Sequence, residues 1–138
     1  MSLNSWKKEF YQGRLRDAAK TAETATIHSI RKWKGLRRAN LDKHLLDNTA
    51  RGVITNMLTR ADFEIDASTC ALCAYSEDDY GFSHCGRCPF TAAHHKSCCD
   101  GDDSPYMIWM DTRNPEPMIE ALERTLAHVR AAKRGQHS

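Results

Sequence analysis

Six cysteines lie within the thirty residues from Cys70 to Cys99, and their spacing constrains the fold more than any other feature of the chain. They form two CxxC pairs followed by an adjacent pair, in the order Cys70-x-x-Cys73, Cys85-x-x-Cys88 and Cys98-Cys99. A CxxC turn lets two thiolates converge on one tetrahedral metal ion, so two such pairs separated by eleven residues are typical of structural zinc. We therefore predict one structural zinc ion (Zn2+) in this segment.

The spacing leaves more than one choice of ligands. The first choice is the two CxxC pairs, Cys70, Cys73, Cys85 and Cys88. The main alternative replaces Cys85 with Cys98 or Cys99, one of the two because adjacent cysteines rarely both bind one zinc ion. His84, His94 and His95 are further candidates, since a neutral imidazole binds zinc readily.

Disulfides and an iron–sulfur cluster are the competing interpretations of the cysteines. Disulfides are typical of secreted proteins, but Met1–Phe10 has no apolar stretch followed by a small-residue cleavage site. We therefore expect a reducing cytoplasm, where cysteines are more often thiolate ligands. An iron–sulfur cluster stays open as an alternative, because four thiolates can also hold one.

A catalytic metal is less well supported by the motifs. The H-E-x-x-H pattern and the H-x-E with P-C-x-x-C pattern of deaminases are both absent from the chain. We therefore expect no catalytic residues and no enzymatic activity. The alternative is a metal-dependent hydrolase that uses one of three histidines with one of two aspartates. Those residues are His84, His94 or His95, with Asp102 or Asp103.

Composition points to one compact domain with a thin core. The chain has 138 residues, of which 41% are hydrophobic, and its mean hydropathy is -0.64. A metal cross-link would help to offset the ordering entropy of a loop-rich segment in so small a chain. No apolar run approaches the roughly 18 residues of a membrane span, so we expect no membrane association.

The two halves of the chain differ in charge. Residues 1–66 carry 13 Lys or Arg against 8 Asp or Glu, a net charge of +5, whereas residues 67–138 carry 7 against 10, a net charge of -3. The densest basic stretch surrounds Trp33 and comprises Arg31, Lys32, Lys34, Arg37 and Arg38, which we place on the solvent side of a helix. It supports nucleic-acid binding as an alternative function, which the acidic runs 77–79 and 100–103 oppose.

Apolar spacing predicts a mainly α-helical fold. N-terminal helices and a C-terminal helix pack around an irregular zinc-knuckle loop region. We divide the chain into a basic helical segment (1–66), a cysteine-rich segment (67–112) and a C-terminal helix (113–138). Within these we predict an interrupted helix over 2–39, a further helix over 41–60, and turns with one small hairpin over 67–105.

The C-terminal helix has the clearest signals. Asn114 is a candidate N-cap, and Pro115 or Pro117 lies in the first turn. Its apolar face is predicted to consist of Met118, Ile119, Leu122, Leu126 and Val129. At the other end of the chain, Trp6 and Phe10 need apolar surroundings, which makes a homodimer an expected arrangement.

The order of these motifs resembles a family of small, uncharacterised zinc-binding proteins of phages and bacteria. The resemblance is carried by three motifs in order, with a Trp-containing helix upstream of them. They are Cys70-Ala-Leu-Cys73, Cys85-Gly-Arg-Cys88-Pro89, and Cys98 or Cys99 followed by Ser104-Pro105-Tyr106, with Ile30–Leu36 upstream. It implies a metal-stabilised knuckle packed on helices, with Tyr106 closing over the metal loop.

The expected function follows from the metal site and the resemblance. We expect a non-enzymatic interaction protein, encoded by a phage, that binds and modulates a host protein or other host macromolecule. Zinc would fix an irregular loop surface that a thin core could not hold.

Overall fold

The computed structural model describes residues 2–135, with the backbone alone for Thr49 and Ala50. The last residues of the predicted segment 113–138 therefore lie outside the described part. The chain is mainly helical, as predicted, and it also contains a small antiparallel sheet. The elements are α1 (Leu3–Phe10), α2 (Leu15–Ala18), α3 (Ala22–Lys34), α4 (Arg38–Lys43), β1 (Leu46–Ala50), β2 (Val53–Asn56), β3 (Asp62–Glu64), α5 (Ala71–Tyr75), α6 (Pro89–His94), α7 (Pro105–Thr112) and α8 (Glu116–Gly135).

The interrupted helix predicted over residues 2–39 is confirmed, and capping side chains define its pieces. Ser2 and Ser5 form a reciprocal capping box at the start of α1. Thr21 and Thr24 form the same box at the start of α3. The threonine-rich patch, which has poor propensity inside a helix, therefore begins one, because hydroxyl oxygens accept the unpaired N–H groups of the first turn.

The helix predicted over residues 41–60 is wrong beyond Lys43. Strands β1 and β2 form an antiparallel hairpin there, and β3 adds to β2 to complete the sheet. The turn contains Gly52, whose φ of +74° favours glycine. The buried side chains in this segment include Leu46 and Ile54, and Ile54 alternates with half-buried neighbours along β2. Such alternation and the β-branched residues of β2 favour a strand.

The core lies around α3, which packs against α1, α5 and α8. Trp33 stacks edge-to-face on Trp109 of α7, with ring centroids 5.1 Å apart. Met118, Ile119 and Leu122 of α8 are buried, which confirms the inner part of the predicted apolar face. The predicted Asn114 cap is also confirmed, because its side-chain oxygen accepts the N–H of Glu116 at 3.1 Å.

Trp6 and Phe10 find their apolar surroundings inside one chain. Trp6 is fully buried, its indole N–H donates to the Gly35 carbonyl at 2.9 Å, and its ring lies 5.8 Å from that of Phe63 in β3. Gly35 allows Phe10 to pack closely against α3, since a Cβ atom at position 35 would lie 2.6 Å from the Phe10 ring. These two aromatic residues therefore give no ground for a homodimer.

The cysteine-rich segment contains more helix than the predicted turns and hairpin. A hairpin is present, marked by an antiparallel bridge between Glu77 and Ser83. The short helices α5 and α6 were not predicted, and each begins directly after a cysteine, Cys70 or Cys88. The first CxxC turn merges with α5, which contains Cys73, whereas the second forms a separate 3-10 turn over Cys85–Arg87. Pro89 at the first helical position of α6 favours a helix start directly after Cys88.

Candidate metal centre

Four of the six cysteine thiols lie within electrostatic range of one another, and three of them, Cys70, Cys73 and Cys98, line one cavity. The Cys70 and Cys73 thiols are hydrogen-bonded to each other, and Cys88 and Cys98 interact electrostatically with both of them. The group is largely shielded from water, since Cys88 is buried and the other three are half-buried. The four residues join the first CxxC pair, one member of the second and one member of the adjacent pair.

Each of the four cysteines is positioned by a different local feature of the chain. Cys70 precedes the first turn of α5, which also carries Cys73, and Cys88 precedes the first turn of α6. Cys98 lies in the loop before α7, where its carbonyl accepts the N–H of Tyr106 at 3.1 Å. The two helices and this loop thus bring together four thiols from a stretch of 29 residues.

The thiols shift the pKa values of one another. The hydrogen bond from Cys73, followed by the charge of Lys32, lowers the pKa of the Cys70 thiol, so Cys70 is the first to become a thiolate. The same bond, followed by burial, raises the pKa of Cys73. Burial is the main cause of the raised pKa values of Cys88 and Cys98. A cation at the centre of the group would remove this penalty, because thiols that coordinate a metal are deprotonated.

Cys85 and Cys99 are exposed. Cys99 nevertheless lines the same cavity as Cys70, Cys73 and Cys98, and its side chain interacts with that of Cys98. The sulfurs of Cys85 and Cys99 are the neighbours of Ser97, whose hydroxyl lies 3.9 Å from Cys85 Sγ and 3.4 Å from Cys99 Sγ. Across residues 2–135, no three Cys, His, Asp or Glu side chains are arranged as they would be around a metal ion. The ligand set Cys70, Cys73, Cys85 and Cys88 therefore stays a prediction, while proximity favours the alternative that replaces Cys85 with Cys98.

A buried lysine lies beside the four thiols. The Lys32 side chain is 1% exposed, and its ammonium donates to the Thr69 carbonyl at 3.3 Å. It lines a cavity of about 200 Å3 together with Cys70, Cys73, Cys98 and Cys99. Within the described part of the chain Lys32 forms no ion pair with a carboxylate, and its charge acts on the Cys70 thiol.

The placement of Lys32 on the solvent side of a helix was wrong, and a signal in the sequence could have corrected it. Ala25, Ser29 and Lys32 are spaced four and three residues apart, so they share one face of α3. The structure buries all three. The small side chains of the first two mark the face that packs closely against α5 and α8.

The candidate histidines have other partners. The ring of His94 stacks on Phe90, and its Nε2 lies 2.8 Å from the carbonyl oxygen of Ala121 in α8. His84 Nε2 lies 2.7 Å from an Asp78 carboxylate oxygen. His95 ends α6 in the left-handed conformation and is exposed, as are Asp102 and Asp103. These contacts explain each histidine by local structure, and the hydrolase interpretation stays a prediction without a site geometry that favours it.

The basic stretch is not a free surface. Trp33 and Lys32 are buried in the core. Arg37 forms a bidentate pair with Glu116 at 2.7 and 3.2 Å, and Arg38 contacts Asp42 and Asp47. Neutralised guanidinium groups and a buried indole offer little to a nucleic-acid backbone or base.

Comparisons with known proteins add no relative. No family model, curated protein or solved structure matches this chain. Within residues 2–135, the helices are too short or too polar to cross a lipid bilayer.

Proposed function

We propose that this chain is a small zinc-stabilised interaction protein that binds and modulates another macromolecule, with Cys70, Cys73, Cys88 and Cys98 as the zinc ligands. The observation that carries the proposal is the single cavity that Cys70, Cys73 and Cys98 line together, with the buried Cys88 within electrostatic range of them. The resemblance to phage and bacterial zinc proteins extends it to a phage-encoded protein in the host cytoplasm, whose partner is a host protein.

The chemistry of the donor set supports zinc and a structural role. Four thiolates fill the tetrahedral coordination of Zn2+ and leave no open position for water or substrate. Binding requires the thiols to lose their protons and to close around the ion, so the binding free energy becomes folding free energy. A site of this kind holds loops in place and supplies no catalytic group.

Lys32 supports the same assignment through charge balance. A zinc ion with four thiolates retains two negative charges, which are costly to bury without a cation nearby. Lys32 is a buried cation without a carboxylate partner among the described residues, and it lies on the wall of the same cavity. Lys32 thus offsets one of the two negative charges.

The decisive experiment is metal analysis of the purified chain. Mass spectrometry under native conditions should find one zinc ion per chain, and cobalt substitution should give the visible absorption of tetrahedral thiolate coordination. Cys88→Ser should lose the metal, whereas Cys85→Ser, its matched control from the same CxxC pair, should keep it. Loss of zinc in Cys85→Ser with retention in Cys98→Ser would instead select the two CxxC pairs.

The same experiment separates zinc from an iron–sulfur cluster. A cluster would give a brown protein with iron and inorganic sulfide in equal amounts, and such a result would overturn zinc as the metal. A folded, metal-free chain that takes up neither metal would overturn the proposed site altogether.

A further inference from the structure

The loop between the two CxxC pairs presents two aromatic side chains to solvent. In this aromatic tip (residues 77–83), Tyr80 is 86% exposed and Phe82 is 69% exposed. Both values are high for large apolar side chains, and the two lie only two residues apart. Exposed aromatic residues of this kind anchor many protein–protein interfaces, because they bury a large area at a small entropy cost.

The aromatic tip is internally ordered although nothing covers it. The Asp78 carboxylate accepts the backbone N–H groups of Tyr80 and Phe82 at 2.9 and 3.0 Å, and it also contacts His84. Ser83 donates to the Cys73 carbonyl at 2.8 Å, which ties the tip to α5. A loop held this firmly presents its aromatic side chains in a fixed arrangement, so less ordering entropy is lost on binding.

An apolar groove lies beside the tip on the same chain. Its volume is about 430 Å3, and apolar side chains from four helices line it: Ala22, Tyr75, Pro89, Ala92, Val129 and Ala132. Glu23, Arg87 and Lys133 are the charged residues of its lining. Glu23 pairs with Lys133 at 3.9 Å and with Arg130 at 3.1 Å, whereas Arg87 is exposed and forms no ion pair in the part of the chain that the structure describes.

The tip and the groove are complementary in their apolar surfaces and in charge. The tip carries two aromatic side chains and two exposed carboxylates, Glu77 and Asp79, which have no ion-pair partner among residues 2–135. The groove carries an apolar floor and the guanidinium of Arg87, which is left without an ion pair among the described residues because Lys133 pairs with Glu23. Opposite charges around an apolar contact are what specific interfaces use for orientation and partner choice.

We propose that the aromatic tip of one chain docks into this groove on a second copy, so that the protein forms a two-fold symmetric dimer. Tyr75 and Arg87 line the groove and stand just before and just after the tip in sequence, so the tip and the groove form one continuous patch. A continuous self-complementary patch closes on itself about a two-fold axis, which places both tips in both grooves. This inference does not depend on the metal site.

The size of the contact predicts a moderate affinity. Four aromatic side chains bury about 600–1,000 Å2 of surface in total. Specific interfaces begin at about 1,200 Å2, so the flanking loop and helix surfaces need to supply the rest. We expect a dissociation constant on the order of micromolar.

Sedimentation velocity over a wide range of protein concentration tests the proposal on the full chain. The wild type should pass from monomer to a closed dimer, and raising the salt concentration should weaken the association because complementary charges lie at the rim. A wild type that stays monomeric, or one that grows beyond the dimer into open chains, would overturn the proposal. A monomer would leave the tip for a partner of another kind.

Variants on both sides of the contact identify the occupant of the groove. Tyr80→Ala with Phe82→Ala should weaken the dimer roughly a hundredfold, since interface anchors dominate binding energy. Ala92→Trp, which fills the groove from the exposed face of α6, should weaken it as strongly without touching the tip. If the tip variant dissociates the dimer and Ala92→Trp does not, the tip docks elsewhere and the proposal is wrong.

The control variant is Met57→Ala with Leu58→Ala. These two apolar side chains are 52% and 75% exposed, and they do not line the groove. This variant should dimerise like the wild type, and a loss of dimer there would also contradict the proposal. Zinc content measured on the same samples keeps the two proposals separate, because a dimer that contains no metal would overturn the metal site alone.

Discussion

Two regions of this small chain are held together in different ways. Around α3, large aromatic and aliphatic side chains pack directly on one another, and Trp6 and Trp109 are at most 1% exposed. In the cysteine region (residues 67–104), the buried apolar side chains are few. They are Ala71, Leu72, Cys88, Pro89 and Phe90.

The difference teaches what each region needs in order to stay folded. Burial of apolar surface stabilises a core in proportion to the area removed from water, so the region around α3 supports itself. The cysteine region orders many residues for little buried area, and backbone ordering costs about 1–2 kcal/mol per residue. A metal cross-link at the four thiols would supply the stabilisation that side-chain packing in this region does not.

The largest effect is expected from a substitution in the self-supporting region. Trp6→Ala removes a fully buried indole and its hydrogen bond to the Gly35 carbonyl. We expect a loss of about 3–5 kcal/mol in the free energy of unfolding, measured by denaturant titration with zinc present. Leu58→Ala, at a side chain that is 75% exposed, should change it by less than about 0.5 kcal/mol. Equal effects of the two variants would contradict the assigned core.

The second effect is expected from removing the metal. Cys73→Ser, or a strong chelator, should lower the free energy of unfolding by about 2.7 kcal/mol when the free zinc concentration is a hundred times the dissociation constant. Hydrogen exchange should show the loss of protection confined to the cysteine region, while α3 and α8 keep theirs. A uniform loss over the whole chain would show that the two regions are not separately held.

The helical core was largely predictable from the sequence. The starts of α1 and α8 and the inner face of α8 follow from capping residues and from apolar side chains three and four apart. The sheet was missed because Leu41, Leu45, Ile54 and Leu58 happen to have helical spacing. Short strands give weak signals of period two, and a single glycine such as Gly52 is compatible with a bend in a helix as well as with a hairpin turn.

Only the first CxxC pair of the candidate site follows from the sequence alone. Spacing within one CxxC turn is local and fixes Cys70 and Cys73 together. The choice among Cys85, Cys88, Cys98 and Cys99 depends on how α6 and the following loop fold back on α5, which no local pattern encodes. Lys32 was missed for a related reason. A charged residue is expected on the solvent side of a helix unless a group of opposite charge is buried beside it.

A third effect tests whether Lys32 of the helical region strengthens metal binding in the cysteine region. Lys32→Met keeps the volume of a buried side chain and removes its charge from beside the thiols. We expect zinc affinity, measured by competition with a chromophoric chelator, to fall about tenfold, as is typical of residues that support metal ligands. Lys34→Met, on the same helix but 43% exposed, should leave the affinity unchanged.

The fold of the Lys32→Met variant is separately checkable. Without metal, a buried methionine should leave stability unchanged or raise it, because an uncompensated buried charge has been removed. A variant that binds zinc as tightly as the wild type would show that Lys32 does not compensate the thiolates. Such a result would leave the metal site itself intact.

The smallest effect is a pH dependence that belongs to the helical region alone. His28 packs edge-to-face on Tyr11 at 4.7 Å, and burial, followed by the charges of Lys32 and Arg31, lowers the pKa of His28 to about 4. The unfolded chain has a histidine pKa of about 6.5, so between these values it binds more protons than the folded chain. Stability should therefore be complete above pH ~6.5 and decline as the pH falls towards about 4.

The size and origin of this decline can be isolated on the metal-free protein, where the protonation of zinc ligands does not contribute. Because one proton is taken up between the two pKa values, the decline should not exceed about 1.4 kcal/mol per pH unit. Subtracting the pH profile of His28→Gln from that of the wild type should recover this decline. Equal profiles would mean that the ring titrates alike in both states, and the acid sensitivity of the protein would then lie in the cysteine region.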